Sequence, residues 1–375
     1  MQLFVYGTLR SDALMTAVAG EGTQERYQAT LAGFAVLPVA GDAVPLIRSS
    51  PGAVANGVVW SGLSDVQIAR LDLYEGAFGY ALVQVEVQLE CGETTSAWMY
   101  LPPDDIPVGE GTWSLADWER DHQAPALFAA AEVFATQPLP TPEALRANWQ
   151  MIERRAWSRH RASLDPARPD NLRYSPRSDD VAIYDMGPPV GSFFRMQQFV
   201  MDHRRFDGTR QPMLNREVAL GVDAALVLPY DPDTDNVLLV EQARMGPLIR
   251  QDPNPWTLEP VAGMIDARED PQTCARRELL EEAGITARDL IDIGAGYPSP
   301  GNLTDHFYCY LGLCALPQTG NYTGGLDVES EDLRLHVLPF AQALSLAESG
   351  EITALPLVTM LYWLAIHRDG LRGPA

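Results

Sequence analysis

The sequence predicts an α+β chain of two domains joined by a helical connector, and three observations predict it. Short period-two runs alternate with turns as far as about residue 103. A helical, Ala-, Trp- and Arg-rich stretch fills 115 to 163. A hairpin, a capped helix and further strands then follow a polar break. At 375 residues, 46% hydrophobic and 21% charged, the chain has room for a core in each part. The resulting division is a first domain over 1–110, a connector and linker over 111–180, and a second domain over 181–375.

In the first domain, strand patterns run from Leu3 to Tyr6, Gly57 to Trp60, Leu82 to Leu89 and Ala97 to Leu101, with a helical stretch from Ser64 to Tyr74. They describe a small mixed β-barrel or sheet. The connector is helical but broken by the Gln-Pro-Leu-Pro-Thr-Pro run at 137 to 142. The polar stretch from Asp165 to Asp180 has little to bury, which places the principal boundary there. Beyond it, strands at Val222 to Leu228 and Val237 to Glu241 flank Asp-Pro-Asp-Thr-Asp-Asn, a run of turn formers that predicts a hairpin. Phe340 to Glu348 and Ala354 to His367 carry apolar residues at helical spacing and predict two core helices.

Composition excludes several chemistries. The net charge of -23 repels polyanions, so long nucleic acid is not an expected partner. All 27 basic residues are Arg, which removes a Schiff-base lysine and a P-loop lysine. Cys91, Cys274, Cys309 and Cys314 form no Cys-x-x-Cys pair and read as reduced core thiols. The N-terminus lacks a basic region and cleavage site, and no apolar run approaches the roughly 18 residues of a membrane span. The expectation is a cytoplasmic protein with no membrane partner.

The chemistry gathers between Gly263 and Ile285. Asp270 before Pro271 is a helix start, and Gly284 is a stop. Between them Glu278, Glu281 and Glu282 sit at i, i+3 and i+4, so all three carboxylates share one side of the helix. Clustered hard oxygen ligands suit Mg²⁺ or Mn²⁺, which would screen a substrate diphosphate and activate water. Arg277 is placed to orient a carboxylate through a bidentate bond. A solvated acidic helix side is the competing reading for a bare Glu-x-x-Glu-Glu.

Gly263, Glu269, Arg277, Glu278, Glu281, Glu282 and Gly284, with Leu279 and Ile285 apolar, match every position of the Nudix box, and residues 195 to 370 resemble Nudix hydrolases. The segments 203–209, 215–232, 238–244 and 260–266 narrow the resemblance to ADP-ribose pyrophosphatases and nucleotide-sugar diphosphatases. This resemblance implies an α/β/α sandwich and hydrolysis of ADP-ribose to AMP and ribose 5-phosphate, with GDP-mannose-type sugars as an alternative substrate. It also implies that the Ala262 carbonyl, Glu278 and Glu282 bind Mg²⁺, with Mn²⁺ a possible substitute, while Glu281 helps hold the metal shell. GGLDVESEDLRLHV at 324 to 337 resembles the family's acidic loop and nominates Glu331 as catalytic base, with Glu329 in reserve. Arg216, with Glu217 beside it, and Arg244 are implied nucleotide and diphosphate contacts, with surface salt bridges as their other reading. Ser299 lies in a stretch resembling the substrate loop, although Asn302, Leu303 and Asp305 depart from its commonest form. By analogy the protein is expected to be a homodimer acting on a small nucleotide sugar. A non-catalytic nucleotide sensor is the alternative from a different class.

FVYGTLR at 4 to 10 and LDLYEGAFGYALVQVEV at 71 to 87 resemble the γ-glutamylcyclotransferase-like (AIG2-like) fold, a mixed β-barrel. The resemblance implies that Tyr6, Gly7, Thr8 and Leu9 cradle a γ-glutamyl group and that Glu75 is the acid/base. A carboxylic acid held in a cavity can have its pKa raised far enough for that role. Ala81 and Leu82 stand where many relatives carry a basic residue after the tyrosine matching Tyr80. Cyclotransfer is therefore a further alternative activity.

Overall fold

The computed structural model describes residues 1–22, 24–164, 171–325 and 331–372. The chain separates into two units, Met1–Glu217 and Val218–Ala375.

The first unit opens with β1 (Leu3–Val5), a single 3₁₀ turn over Thr8–Arg10 and α1 (Asp12–Ala19). Next come β2 (Glu25–Pro38), β3 (Pro45–Ser61), α2 (Asp65–Gly76), β4 (Ala81–Leu89) and β5 (Thr94–Leu101). The five strands close a barrel in the order β1-β3-β2-β4-β5, with β1 and β5 meeting in parallel at Leu3 and Trp98. Phe4, Ile47, Val59 and Met99 fill its interior. Leu3, Val5 and Val58 point the other way, under Leu14 and Val18 of α1 and Leu71 of α2. Period-two alternation therefore buries both sides of β1, which is why Leu-Phe-Val is apolar throughout. The sequence patterns located β1, β4, β5 and α2 but missed α1, β2 and the first two-thirds of β3. The long β2–β3 pairing is interrupted by a bulge between Ala32 and Phe34, so no clean alternation runs through it.

The connector is α3 (Leu115–Asp121), α4 (Gln123–Ala135) and α5 (Pro142–Leu164). Leu145, Ile152 and Ala156 of α5 pack on Ala129 and Val133 of α4 and on Leu73 of α2, which ties the helices to the barrel. A small antiparallel sheet follows, made of β6 (Val181–Met186), β7 (Val190–Gly191), β8 (Arg195–His203) and β9 (Leu214–Leu220), with β8 central. The sequence reading assigned residues 181–217 to the second domain. Their contacts lie with the first unit, because Arg195 at the start of β8 reaches the buried Glu132 of α4 at 3.4 Å.

The second unit contains β10 (Asp223–Asp231), β11 (Asn236–Ala243), α6 (Met245–Arg250), β12 (Trp256–Glu259), β13 (Val261–Met264) and α7 (Pro271–Ala283). These are followed by β14 (Asp289–Gly296), β15 (His306–Leu313), β16 (Gly320–Gly324), β17 (Leu333–Pro339), α8 (Phe340–Ser349) and α9 (Leu355–Leu371). Its sheet runs β14-β15-β10-β11-β17-β16, with β12 added to β11 and β13 to β10. Central β10 alternates Ala225 and Val227 toward α7 with Leu226 and Leu228 toward α9. A strand covered by helices on both sides reads as a continuous apolar run rather than an alternating one. Among the described residues no helix is long and apolar enough to cross a membrane.

Candidate active site

Helix α7 is held in place at both ends. The Asp270 carboxylate accepts the N–H groups of Gln272 and Thr273 at 3.0 and 3.1 Å, Pro271 occupies the first turn, and Gly284 closes the helix at φ 65°. Cys274, Ala275 and Leu279 bury one side of α7 in the core, which turns Glu278 and Glu282 against β13. Both carboxylate residues are nearly enclosed, 8% and 3% exposed. The close approach requires glycine at 263, since a Cβ there would lie 1.9 Å from the Glu278 carboxylate. Glu282 Oε2 accepts the Ala262 N–H at 3.4 Å.

The three glutamates read as one ridge are not equivalent. Glu281 turns to Arg277, whose Nη1 donates to Glu281 Oε2 at 2.8 Å and to Glu278 Oε1 at 2.5 Å. The other edge of the same guanidinium grips Glu269 bidentately, with Nε and Nη2 each at 2.9 Å. Arg277 thus organises three carboxylates, and its pKa is raised, chiefly by the bond to Glu269.

Glu282 has a different electrostatic position. Burial first, then the charges of Glu331 and Glu278, push its carboxyl up to about 8. Glu331 belongs to the segment after β16, whose start is fixed on the end of α7. Gly325 N–H donates to the Glu282 carbonyl at 3.1 Å, and a Cβ on Gly324 would stand 2.2 Å from that oxygen. Glu329 lies outside the described residues. Arg244 contributes opposing charge to Glu282, while its own fork is engaged by Glu259 at 3.0 and 2.6 Å. Thr257 Oγ1 donates to Glu259 at 2.5 Å. Sequence reasoning missed Glu259 and Thr257, because the pairing joins Arg244, the residue after β11, to neighbouring β12 and leaves no spacing signal.

Among the described residues no three His, Cys, Asp or Glu side chains already converge as a cation cage. The donor set nevertheless fits a hard divalent ion. Two enclosed carboxylates press against the 262–263 backbone, and a third acid raises the proton affinity of one of them.

The remaining candidates are dispersed. Ser299 forms a turn, its Oγ donating to Asn302 Oδ1 at 2.6 Å and its carbonyl accepting from Leu303 N–H at 3.1 Å. Arg216 and Glu217 lie in the first unit on β9, where Arg216 Nη1 donates to its neighbour's carbonyl and Glu217 accepts from Gln198 at 2.6 Å.

A second constellation lies in the barrel. Gly7 precedes the 3₁₀ turn, and a Cβ on it would press on Pro45 Cγ at 3.0 Å. Thr8 begins that turn, and the carbonyl of buried Leu9 accepts from Trp60 Nε1 at 3.3 Å. Glu75, in the last turn of α2, has its carboxyl pushed up to about 7 by burial alone. Tyr6, Tyr74, Tyr80 and Tyr100 all have raised phenol pKa values, from burial first, with the Glu75 charge contributing to each. Tyr6 donates to the Tyr100 carbonyl at 3.2 Å, and the Tyr100 hydroxyl donates to Asp72 at 2.6 Å. The motifs contain Tyr6, Tyr74, Glu75 and Tyr80; Tyr100, on β5, joins them only through the fold.

The sandwich and the carboxylate cluster on α7 define a Nudix hydrolase, and the chain belongs to that family. Residues 221–358 match the NUDIX domain family, and residues 3–120 match the gamma-glutamyl cyclotransferase, AIG2-like family. The chain is 34% identical over 206 residues to an ADP-ribose pyrophosphatase of Escherichia coli, covering 55% of this chain and 97% of that protein. A Haemophilus influenzae ADP-ribose pyrophosphatase is 33% identical, with 50% and 87% covered. A GDP-mannose pyrophosphatase of Enterobacter is 30% identical, with 45% and 88% covered. Nudix hydrolases generally use divalent metals such as Mg²⁺.

Proposed function

We propose that the second unit hydrolyses the diphosphate of ADP-ribose, or of a related nucleoside diphosphate sugar, yielding AMP and ribose 5-phosphate from ADP-ribose and water. The observation that carries this reading is the enclosed Glu278–Glu282 pair, with Glu282 pushed up to about 8 by burial and neighbouring acids. The Ala262 carbonyl, Glu278 and Glu282 would hold Mg²⁺, with Mn²⁺ as substitute. When bound, the ion neutralises these carboxylates, screens the diphosphate and acidifies water. Glu281 steadies Arg277, and Arg277 in turn orients Glu278. Glu331 is proposed to accept the proton of the attacking water, with Glu329 in reserve. Arg244 offers its remaining Nη1 to phosphate oxygens, with its Nε–Nη2 edge held by Glu259. Ser299 is assigned to the substrate loop, and Arg216 with Glu217 to nucleotide contacts.

The test is incubation of the pure protein with Mg²⁺ and ADP-ribose, and in parallel with GDP-mannose, followed by chromatography of the nucleotide products. AMP formation that Glu282→Gln abolishes is expected, and the relative rates rank the substrates. No product from any nucleotide sugar, with Glu282→Gln indistinguishable, sinks the reading; calorimetric binding without turnover would then favour a sensor.

A second reading applies to the first unit, where an acid near neutrality sits among tyrosines. Glu75 at about 7 is suited to move a proton between an attacking amine and a leaving group, as cyclotransfer requires. Release of 5-oxoproline from γ-glutamyl dipeptides, lost in Glu75→Gln, is the expected result; no release rules it out. A homodimer belongs to the same proposal and is supported by Val181, Ile183, Tyr184, Met186, Phe194 and Met196, all exposed on or beside the β6–β8 sheet. Light scattering measures it directly. A cytoplasmic setting fits the four free thiols.

A further inference from the structure

A cluster distant in sequence from either set of motifs carries an unbalanced charge. Glu132 of α4, Arg155 of α5 and Arg195 of β8 are all buried, 3%, 1% and 5% exposed. Arg155 grips Glu132 side-on, Nε at 2.9 Å and Nη2 at 2.7 Å, and its Nη1 donates to the Phe193 carbonyl at 3.0 Å. Arg195 uses only Nη1, donating to Thr136 Oγ1 at 2.9 Å and standing 3.4 Å from Glu132 Oε1. Two guanidinium groups thus share one carboxylate. The Nε–Nη2 edge of Arg195 makes no hydrogen bond with any described residue. An enclosed cation without full compensation is strongly disfavoured, and the deficit here is one anion.

Arg195 also lines a cavity of about 310 Å³, within the size range of small-molecule sites. Its walls are mostly apolar, including Val133, Leu145, Ile152 and Val190, with Asn148 and Ser192 among the few polar groups. All of these belong to the first unit. The edge unused on Arg195 is the one with which Arg155 takes Glu132 and Arg277 takes Glu269, each time a planar carboxylate. A phosphate would bring further oxygens that apolar walls cannot satisfy.

We propose that this cavity binds a small carboxylate with an apolar body, taken side-on by the Nε–Nη2 edge of Arg195. The bound anion completes the charge of the Glu132–Arg155–Arg195 cluster and holds α4, α5 and β8 together. The site is independent of the hydrolase chemistry.

The full-length protein is heated with increasing benzoate at constant ionic strength, with benzamide as the neutral isostere and inorganic phosphate as a second anion. A saturable rise in Tm with benzoate alone is expected. Arg195→Met should lose that response, with apparent affinity falling at least tenfold. Ala144→Trp fills the cavity from an exposed helix position while keeping Arg195 and its partners, and should lose it too. A rise without saturation, an equal rise from phosphate, or an undiminished rise in Ala144→Trp overturns the proposal. If Arg195→Met does not fold, the Ala144→Trp comparison decides alone.

Discussion

Glu282 and Glu75 both have carboxyl groups displaced far upward, to about 8 and about 7, yet for different reasons. Around Glu75 the cause is enclosure alone, and its neighbours are phenols that are neutral at physiological pH. Such an environment favours the protonated acid and asks for no cation. Around Glu282 burial is again the first cause, but the charges of two other acids, Glu331 and Glu278, add to it. Like charges gathered at one point are relieved by a divalent ion as effectively as by a proton. Under the proposed function, similar displacements suit a proton carrier in one unit and a metal ligand in the other.

The sharpest way to break this comparison is to remove each carboxylate charge in turn. Glu282→Gln should lower AMP formation at least about 100-fold, beyond the usual effect of changing a residue behind a metal ligand. Glu75→Gln should leave that rate unchanged. Equal losses in both, measured on the same substrate, would erase the distinction. Next in size is Arg244→Ala, which removes the charged Nη1 donor and leaves Glu259 without its bidentate partner. A rise in KM of about tenfold or more is expected from steady-state rates.

Stability against pH sharpens the contrast further. The folded-state value of Glu75 lies above the ordinary 4.5, so its contribution is fully present below about 4.5 and is lost as pH rises through about 7. Denaturant titrations across that window should show stability falling with a limiting slope of about 1.4 kcal/mol per pH unit from this group, and Glu75→Gln should remove that component. The smallest effect belongs to the scaffold of the α7 carboxylate cluster. Asp270→Ala deletes the N-cap of α7 and should destabilise by about 1 kcal/mol in the same assay.

Local rules made α7 legible. Asp270, Pro271 and Gly284 set its ends, and 3.6-residue geometry put Glu278 and Glu282 on one side. The separate fate of Glu281 follows from its i, i+4 spacing to Arg277, a local pairing that grouping the three carboxylates on one side passed over. Gly324 and Gly325 gave no sign of their close approach to the Glu282 carbonyl at the end of α7, which only the fold reveals. The small sheet over 181–220 was invisible for another reason. Its outer strands β6, β7 and β9 are exposed on much of their surface, so they carry no clean alternation. The Glu132–Arg155–Arg195 cluster joins three elements far apart in sequence, beyond the reach of any periodicity.

Mn²⁺ binding followed by electron paramagnetic resonance, on the intact protein and on Glu282→Gln at one pH, tests the central claim most directly. The account predicts a saturable site in the intact protein whose affinity falls at least tenfold in the variant. Equal Mn²⁺ affinity in the two proteins would contradict it.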